Sequence, residues 1–476
     1  MTLEEYKKSK NFYYFYEISK IPRPSFHEER VADYVEQFAK DHGYWYTRDA
    51  LHNIIIKNPG SAGREQEPPL ILQAHMDMVC TKAPGSTHDF MKDPIDIRLV
   101  DGWLMGNETT LGADDGAGVA NILGLLDEPD LSHPPLECIF TVQEEDGMGG
   151  AKGIDLSCLQ GKRMIGLDGE EEGTTLYTAS AVWACMYRMK IKREPSCGTM
   201  FSLKIGGLSS GHGAGMIGSQ RANAVKLASR ILRRLEHIRI ASAQGGGLIH
   251  VIPRDCTVVF ESAQTLEEIQ TVLEPVMDQI RAEFAVTDPA MTMELAEVIE
   301  AHETVLSADD TKRILRFLYL LPIGARNRNP EEIEQTIGSF NLSILRVEEE
   351  HVECSLVCRA NYPIDVDELR QTAYEYADLF DASCETLMEY AGHYVPKDSP
   401  MIQLWDKVYR EKMGKPIKVK YIHAGLDAGT IFQKLKLDDL IIIMPTTQNV
   451  HTIHERMNAD SFYRTYEYLK EILAQA

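Results

Sequence analysis

The sequence predicts an α/β fold into which a second, α+β domain is inserted. Up to residue 178 and again from residue 389, short apolar runs that fit buried strands alternate with amphipathic helical patterns. Over 179–388, longer alternating stretches are interleaved with long amphipathic helices, which is typical of an α+β domain. We therefore expect one domain made of residues 1–178 and 389–476, and an inserted domain over 179–388.

The elements of the first domain follow from local periodicity. The apolar residues between Val31 and Phe38 recur at helical spacing, so a helix is predicted over 27–41. Thr2 and Glu5 match a capping box at the start of an earlier helix. Apolar runs too short for helices predict strands over 70–72, 136–142, 164–167 and 439–444, and helical spacing predicts a helix over 116–126.

The composition excludes several classes of protein. The chain has 476 residues, of which 44% are hydrophobic and 25% charged, and 49 basic against 72 acidic side chains give a net charge of −23. These values fit a folded protein of two domains, and the negative charge argues against a nucleic-acid or anionic-membrane partner. No apolar run approaches the roughly 20 residues of a membrane span, and the N-terminal segment lacks the apolar core of a signal peptide. The nine scattered cysteines fit a reduced, cytoplasmic thiol set.

Acidic and imidazole side chains follow three of the predicted strands, and another acid precedes a predicted helix. They are His75 and Asp77 after 70–72, Glu144 and Glu145 after 136–142, Asp168 after 164–167, and Asp114 before 116–126. Ligands of open α/β sheets gather just outside the carboxyl ends of the strands. The pattern therefore predicts that these side chains meet at one edge of the sheet.

Each of these features has a simpler interpretation when taken alone. A Glu-Glu pair is usually solvated surface, Asp114 and Asp115 fit a helix N-cap, and Asp168 fits the cap of a turn. Their joint occurrence in one α/β region favours a metal site. Imidazole and carboxylates without thiolates suit zinc, manganese or cobalt, and two metals about 3.5–4 Å apart make hydroxide available near neutral pH. Because successive residues point in different directions, one of Glu144 and Glu145 can bind metal while the other handles the proton.

Four motifs resemble, in their order and intervals, those of the co-catalytic zinc peptidases of the aminoacylase and carboxypeptidase G type. They are His75-x-Asp77, Leu111–Gly116, Glu144-Glu145 and Leu167-Asp168. Within that family the whole chain most resembles the aminoacyl-histidine dipeptidases, also called Xaa-His dipeptidases or carnosinases. That branch is also matched by Ile21–Ser25, Asp101–Asn107 and His423–Leu426. The resemblance implies a phosphorylase/hydrolase-like catalytic domain, with a mixed sheet flanked by helices, and a long inserted lid over 179–388.

The resemblance also implies the roles of individual residues. It implies two divalent ions, zinc first, with Co²⁺ or Mn²⁺ as the alternatives. The implied metal ligands are His75 and Asp168 for one ion, Glu145 and His451 for the other, and Asp114 as the bridge between them. Asp77 is implied to fix the tautomer of His75, and Glu144 to act as general base and then as acid.

The last ligand has a rival in the sequence. His451 is selected by its spacing from Pro445 and by the Glu455 that follows it. His454 remains the alternative. Three positions also depart from the residues that are common in the family. The chain has Asp115 where the family often has Asn, Gly169 where it often has Ser or Thr, and Asp427 where Glu is common.

The inserted domain carries three candidate residues and one misleading motif. Gly213–Gly218 formally matches a dinucleotide fingerprint, but the preceding strand pattern ends near Ile205, too far before it. By resemblance, His212 polarises the scissile carbonyl or stabilises the oxyanion; a polar residue in a flexible glycine loop is the alternative. Arg359 and Asn341 are candidates for binding the substrate's C-terminal carboxylate, with a solvated arginine as the alternative.

The leading hypothesis is a cytoplasmic metallodipeptidase acting on small peptides, in particular Xaa-His dipeptides including β-Ala-His. It implies a metal-bridging hydroxide and a glutamate general base. The alternative among enzymes is an N-acyl-amino-acid amidohydrolase or aminotripeptidase that uses the same two metals. The alternative from another class is a non-catalytic metal-binding or interaction protein that has kept the fold. We expect a homodimer formed through the lid, and no nucleic-acid or membrane partner.

Overall fold

The computed structural model describes residues 3–6, 8–299 and 302–476, which form two units. The first unit contains the chain up to Ala179 together with Ala391–Tyr421 and Gly425–Ala476. The second unit contains Ser180–Tyr390 together with Ile422–Ala424. The capping box expected at Thr2 lies outside the described residues.

The first unit is built on a mixed sheet. Its strands, in spatial order, are Trp45–Arg48, Ile54–Asn58, Leu136–Thr141, Leu70–His75, Arg163–Gly166 and Asp439–Ile442. Each neighbouring pair among the first three strands is antiparallel. From Leu136–Thr141 onward, neighbouring strands are parallel. Leu136–Thr141 and Leu70–His75 are buried at every position, as expected for central strands covered on both faces.

Helices and two smaller sheets complete the described part of this unit. The helices are Leu3–Tyr6, Lys10–Ile18, Glu29–Asp41, Ala113–Leu126, Gly149–Gly153, Pro400–Met413, Asp427–Leu435 and Ala459–Gln475. One small sheet orders its strands as His393–Tyr394, Thr174–Ala179 and Lys418–Ile422. The other orders them as Thr447–Gln448, Arg456–Asn458, Trp103–Gly106 and Ile97–Val100. The α/β fold predicted from the sequence is confirmed.

The second unit has the predicted α+β character. Its main antiparallel sheet runs in the order Thr292–Glu297, Thr199–Gly206, Cys256–Ser262, Arg239–Gly245, Thr336–Val347, His351–Ala360, Ala181–Lys190 and Ser383–Tyr390, with Gly324–Arg328 pairing beside Thr336–Val347. Arg193–Pro195 pairs with Thr304–Leu306. The helices are Gly213–Met216, Ala224–Leu232, Leu266–Glu283, Ala308–Leu320 and Val366–Leu379, with a 3₁₀ turn at Ile217–Ser219. Because Gly213–Gly218 forms only a short helix and this turn, it does not open the long helix that a dinucleotide fingerprint requires.

The ends of elements differ from the sequence pattern. The helix predicted over 116–126 begins at Ala113, and Asp114 and Asp115 in its first turn have non-helical backbone angles. The edge strand Trp45–Arg48 and its neighbour Ile54–Asn58 were not predicted. Within the described ranges no helix is both long and apolar enough to cross a membrane. The cysteines, all of which lie in those ranges, form no disulfide.

Candidate active site

The carboxyl ends of adjacent parallel strands deliver the predicted side chains to one edge of the mixed sheet. His75 is the last residue of the central strand Leu70–His75. The strands on either side run parallel to it, and Glu145 and Asp168 follow their carboxyl ends. Asp114, in the first turn of a buried helix, reaches the same edge. This is the position at which open α/β sheets bind ligands.

Two groups of possible metal-ligand atoms form there, as found among the described residues. One comes from His75, Asp114 and Asp168, and the other from Asp114, Glu145 and His451, with the atoms of each group within 4.8 Å of one another. Oδ1 of Asp114 lies 3.0 Å from Nε2 of His75, and its Oδ2 lies 3.1 Å from Nε2 of His451. The same His451 nitrogen lies 3.1 Å from Oε2 of Glu145. A carboxylate that faces a different imidazole with each oxygen is placed as a bridging ligand must be.

The donor chemistry of these groups fits divalent transition metals. Imidazole nitrogens and carboxylate oxygens without thiolates suit Zn²⁺, Mn²⁺ or Co²⁺. In addition, Oε1 of Glu145 is buried and has no hydrogen-bond partner among the described residues. Because a buried carboxylate oxygen without a partner is costly, this atom favours a bound cation.

Asp77 orients His75 from behind. Its Oδ1 lies 3.4 Å from Nδ1 of His75, and its carboxylate accepts the Ser25 hydroxyl at 2.7 Å. It also accepts the backbone N–H groups of Glu144 at 3.1 Å and Glu145 at 3.2 Å. Burial raises the pKa of Asp77, but the nearby His75 ring and the hydrogen bond from Ser25 outweigh it and hold that pKa below its usual value. An ionised Asp77 favours the His75 tautomer that leaves Nε2 free to bind a metal.

Carboxylates crowd this edge and perturb one another. Burial and then Asp114 raise the pKa of Asp168 to about 8 and also raise that of Glu145. Burial, with Asp168 adding to it, raises the pKa of half-buried Glu144 well above its usual value. Hydrogen bonds to Asp114 and Glu145 raise the pKa of His451 to about 10. Groups perturbed in this way are typical of functional sites, and a divalent cation would offset their repulsion.

The structure brings His451, rather than its rival His454, to the other candidate ligands. Among the described residues, His454 belongs to neither ligand group. Its backbone is hydrogen-bonded within its own loop, to Asn449 and Thr452. His451 has a φ of +66°, in the left-handed region that is costly for residues with a side chain. Such strain persists only where surrounding contacts hold the backbone in place.

The candidates in the inserted segment lie in the second unit. Nδ1 of His212 accepts the N–H of Ala214 at 3.3 Å, so a neutral His212 ring carries its proton on Nε2. Asn341 is buried and donates to the Val251 carbonyl at 3.1 Å and the Ser343 hydroxyl at 2.9 Å. Its Oδ1 has no hydrogen-bond partner among the described residues. The structure thus leaves one oxygen of Asn341 for a ligand to contact.

Arg359 is buried, with 5% of its surface exposed, so the solvated alternative is wrong. Its cross-strand partner is Ser339, and Asn341 lies two residues further along that strand, on the same face of the sheet. No carboxylate pairs with Arg359 in the described part of the chain, and its long hydrogen bond goes to the His423 carbonyl at 3.5 Å. Burial lowers the pKa of Arg359 to about 10. A buried guanidinium without a counter-ion is a candidate site for an anion.

The ring of His423 completes this region of the second unit. Its Nε2 lies 2.8 Å from the Ser339 hydroxyl and its Nδ1 lies 2.6 Å from Oδ1 of Asn361. Burial, and then the nearby Arg359, lower the pKa of His423 to about 3. A neutral His423 therefore adds no positive charge beside Arg359.

Three residues that shape the site were missed as functional residues in the sequence. Asp115 accepts the His75 N–H at 3.1 Å and the Gly118 N–H at 3.0 Å, so it fixes both the strand end and the helix start. Arg23 and Glu455 bind the backbone of the loops that carry the candidate ligands. Arg23 lies in a segment that matched the dipeptidase branch, and Glu455 served only to align His451. No local pattern indicated what their side chains contact.

Comparison with known proteins identifies the family. A model of peptidase family M20/M25/M40 matches residues 71–475. The chain belongs to this family. It is therefore an enzyme, and the resemblance to zinc peptidases of this kind is confirmed.

Three known proteins match this M20 peptidase along nearly its whole length. The chain is 30% identical over 469 residues to the cytosol non-specific dipeptidase of Escherichia coli K12, covering 97% of this chain and 96% of the relative. It is similar to the crystal structure of aminoacylhistidine dipeptidase from Vibrio alginolyticus, with a TM-score of 0.88, 27% identity, and coverage of 100% and 98%. The aminopeptidase PepT structure from Bacillus cereus, with a TM-score of 0.56, 16% identity, and coverage of 100% and 99%, shares the fold.

Proposed function

We propose that this M20 peptidase is a dipeptidase that works with two divalent metal ions. The observation that carries the proposal is the position of Asp114, which faces His75 with one carboxylate oxygen and His451 with the other. Asp168 and Glu145 complete the two ligand groups. The metal is proposed to be Zn²⁺, with Co²⁺ or Mn²⁺ as the alternatives. The dipeptidase names of two full-length relatives support dipeptides as substrates. The name of the Vibrio relative supports Xaa-His dipeptides among them, and we propose β-Ala-His as one of these.

Glu144 is the proposed general base. When bound, the two ions would polarise the scissile carbonyl and lower the pKa of the attacking water. Glu144 then accepts the proton of that water and returns it to the leaving amine nitrogen. Burial and the nearby Asp168 raise its pKa, which is the direction that makes a carboxylate a stronger proton acceptor. Asp77 keeps His75 in the orientation that a ligand needs.

The second unit is proposed to bind the substrate. Arg359 would hold the C-terminal carboxylate of the peptide, with Asn341 on the same sheet face contributing a polar contact. His212 would donate its Nε2 proton to the carbonyl oxygen as negative charge develops there. We further propose that residues 179–388 act as a lid and dimerisation domain. The cytosolic relative supports a cytoplasmic location.

A substrate panel with metal removal tests this function. Purified protein loaded with Zn²⁺ should hydrolyse β-Ala-His and other Xaa-His dipeptides, lose activity with a chelator, and regain it when Zn²⁺ is returned. The panel includes N-acyl amino acids and tripeptides. Cleavage of those substrates alone would favour the amidohydrolase or aminotripeptidase alternative. Hydrolysis that survives complete metal removal would exclude the proposed chemistry. Sedimentation of the purified protein tests the homodimer.

A further inference from the structure

Arg23 links two of the loops that carry candidate metal ligands. It is buried, and its Nη1 donates to the carbonyls of Met76 and Asp77, both at 2.9 Å. Its Nη2 donates to the carbonyl of Gly112 at 2.5 Å. The guanidinium therefore ties the backbone that follows His75 to the backbone that precedes Asp114.

Two glycines make room for this guanidinium. A Cβ at Gly112 would lie 2.6 Å from Nη2 of Arg23, and a Cβ at Gly116 would lie 2.5 Å from the same atom. Both distances are well below van der Waals contact. The sequence around Asp114 is therefore shaped to fit Arg23.

Glu455 links the third loop. It is buried, and its carboxylate accepts four consecutive backbone N–H groups of the loop that leads to Asp114. These are Leu111 at 2.7 Å, Gly112 at 3.0 Å, Ala113 at 2.8 Å and Asp114 at 3.5 Å. Hydrogen bonds from backbone N–H groups to a carboxylate are stronger than those between neutral groups. Because Glu455 follows His451 by four residues, one side chain joins the segment of His451 to the segment of Asp114.

The segment that Glu455 holds needs an anchor. The His451 side chain is 47% exposed and its backbone is in the left-handed region, so packing alone does not fix it. Its carbonyl accepts the Thr81 hydroxyl at 3.3 Å, and the N–H of Glu455 donates to the Thr452 carbonyl at 3.0 Å. The Glu455 carboxylate connects the segment of His451 directly to the backbone of the shared ligand Asp114 and of the residues before it.

We propose that Glu455 is a positioning residue that sets His451 against Asp114, with Arg23 setting Asp114 against His75. This inference rests on the proposed two-metal site and adds an asymmetry to it. Loss of Glu455 removes the direct link between the His451 segment and the Asp114 loop but leaves the Arg23 link between His75 and Asp114 in place. The ion held by Asp114, Glu145 and His451 should therefore bind more weakly, while the ion held by His75, Asp114 and Asp168 is retained.

Glu455→Gln tests the proposal, with Glu137→Gln as the matched control. Glu137 is also a buried glutamate that accepts backbone N–H groups, those of Gln160 and Gly161, each at 2.9 Å. It lies near the amino end of its strand, whereas the candidate ligands lie beyond the carboxyl ends. Metal content is measured after equilibration with buffered Zn²⁺, and Co²⁺ absorption reports the coordination of each ion.

Wild type and Glu137→Gln should bind two ions per chain. Glu455→Gln should bind one at the same free metal, with affinity for the second reduced by about 10–100-fold. Excess Zn²⁺ should restore much of its turnover, which a merely damaged fold would not allow. Folding is checked by circular dichroism. If Glu455→Gln does not fold, Glu455→Asp takes its place, because it keeps the charge but withdraws the carboxylate by one methylene.

Wild-type affinity for both ions in either folded Glu455 variant would overturn the proposal. An equal loss of metal in Glu137→Gln would also overturn it, because a general loss of stability would then explain the result. Failure of the proposed function is read separately, from the wild type alone: a wild-type chain that binds fewer than two ions would contradict the two-metal site and the positioning role together.

Discussion

The region of the candidate metal ligands in the first unit and the region of Arg359 in the second have opposite imbalances of charge. Around Asp114, carboxylates accumulate until burial and mutual repulsion raise the pKa of Asp168 to about 8. Around Arg359, the neighbouring His423 is kept neutral by a pKa of about 3, and no described carboxylate pairs with the guanidinium. The first region has an excess of carboxylates, and the second has a guanidinium that no described carboxylate pairs with.

This difference indicates that the two regions are suited to ligands of opposite charge. A buried charge without a partner destabilises the fold, so it is retained where a ligand supplies the missing charge. Divalent cations fit the first region, and the carboxylate of a peptide fits the second. Substitutions in the first unit should therefore change metal binding or proton transfer. Substitutions in the second should change the substrate parameters and leave the metal content intact.

The largest effect is expected from Glu144→Gln. The change removes the proposed proton acceptor but none of the candidate ligands, so turnover should fall by about 10²–10⁴-fold while both ions stay bound. Steady-state kinetics and metal analysis of the same preparation measure the two quantities. Activity within about tenfold of wild type would exclude Glu144 as the base.

His212→Ala should show the matching effect from the second unit. Loss of one donor to a developing oxyanion lowers kcat by about 10²–10³-fold, with metal content unchanged. Mixing this variant with Glu144→Gln, under conditions in which subunits exchange, asks whether His212 acts on a partner chain. Recovered activity would favour His212 acting on the site of a partner chain. If no activity is recovered, His212 acts within its own chain. A kcat close to that of wild type would remove His212 from the mechanism.

His451→Ala and His454→Ala separate the two histidines that the sequence left open. His451→Ala should lose about one ion per chain, because it removes the only imidazole of the second ligand group as described. His454→Ala should keep both ions. Metal analysis of both purified variants decides between them, and the reverse pattern would show that the loop is assigned incorrectly.

Arg359→Lys tests the anion site. Lysine keeps the positive charge but loses the two-point contact, so KM for dipeptides should rise by about 10–100-fold, the size of one charge-assisted hydrogen bond of about 1.5–3 kcal/mol. Metal content should not change. A dipeptide amidated at its C-terminus is the control, because it lacks the carboxylate and should be equally poor for both proteins. An unchanged KM for the free dipeptide would remove Arg359 from substrate binding.

The sequence predicted the part of the site that depends on local order. Apolar runs followed at once by His75, Glu144 or Asp168 mark buried strands with polar ends, and parallel pairing then brings those ends together. Arg23 and Glu455 followed no such rule, because they bind backbone groups 89 and 341–344 residues away in the chain. A side chain that binds distant backbone leaves no periodicity in the sequence.

The exact ends of the helices and strands, and the surroundings of Arg359, could not be predicted from the sequence for a similar reason. The early start of the helix at Ala113 depends on Asp115 accepting N–H groups from two different elements. Arg359 pairs with Ser339 on the preceding strand and contacts His423, which belongs to the second unit although the chain passes through the first unit before reaching it. Only the assembled sheet reveals these neighbours.

The two regions should also differ in their dependence on pH, which is the smallest of the expected effects. The pKa of His451 is raised to about 10, and that of His75 is also raised, so protons compete with a metal for both rings. Metal affinity should therefore fall as the pH drops from about 8 toward 5–6, and activity should fall with it. Arg359, with a pKa of about 10, and His423, with a pKa of about 3, do not change charge over that range. With metal kept saturating, KM for a dipeptide should stay nearly constant between pH 6 and 8, while the metal dissociation constant, measured by titration at each pH, should rise on the acid side. A metal affinity that is flat down to pH 4 would contradict imidazole ligation at this site.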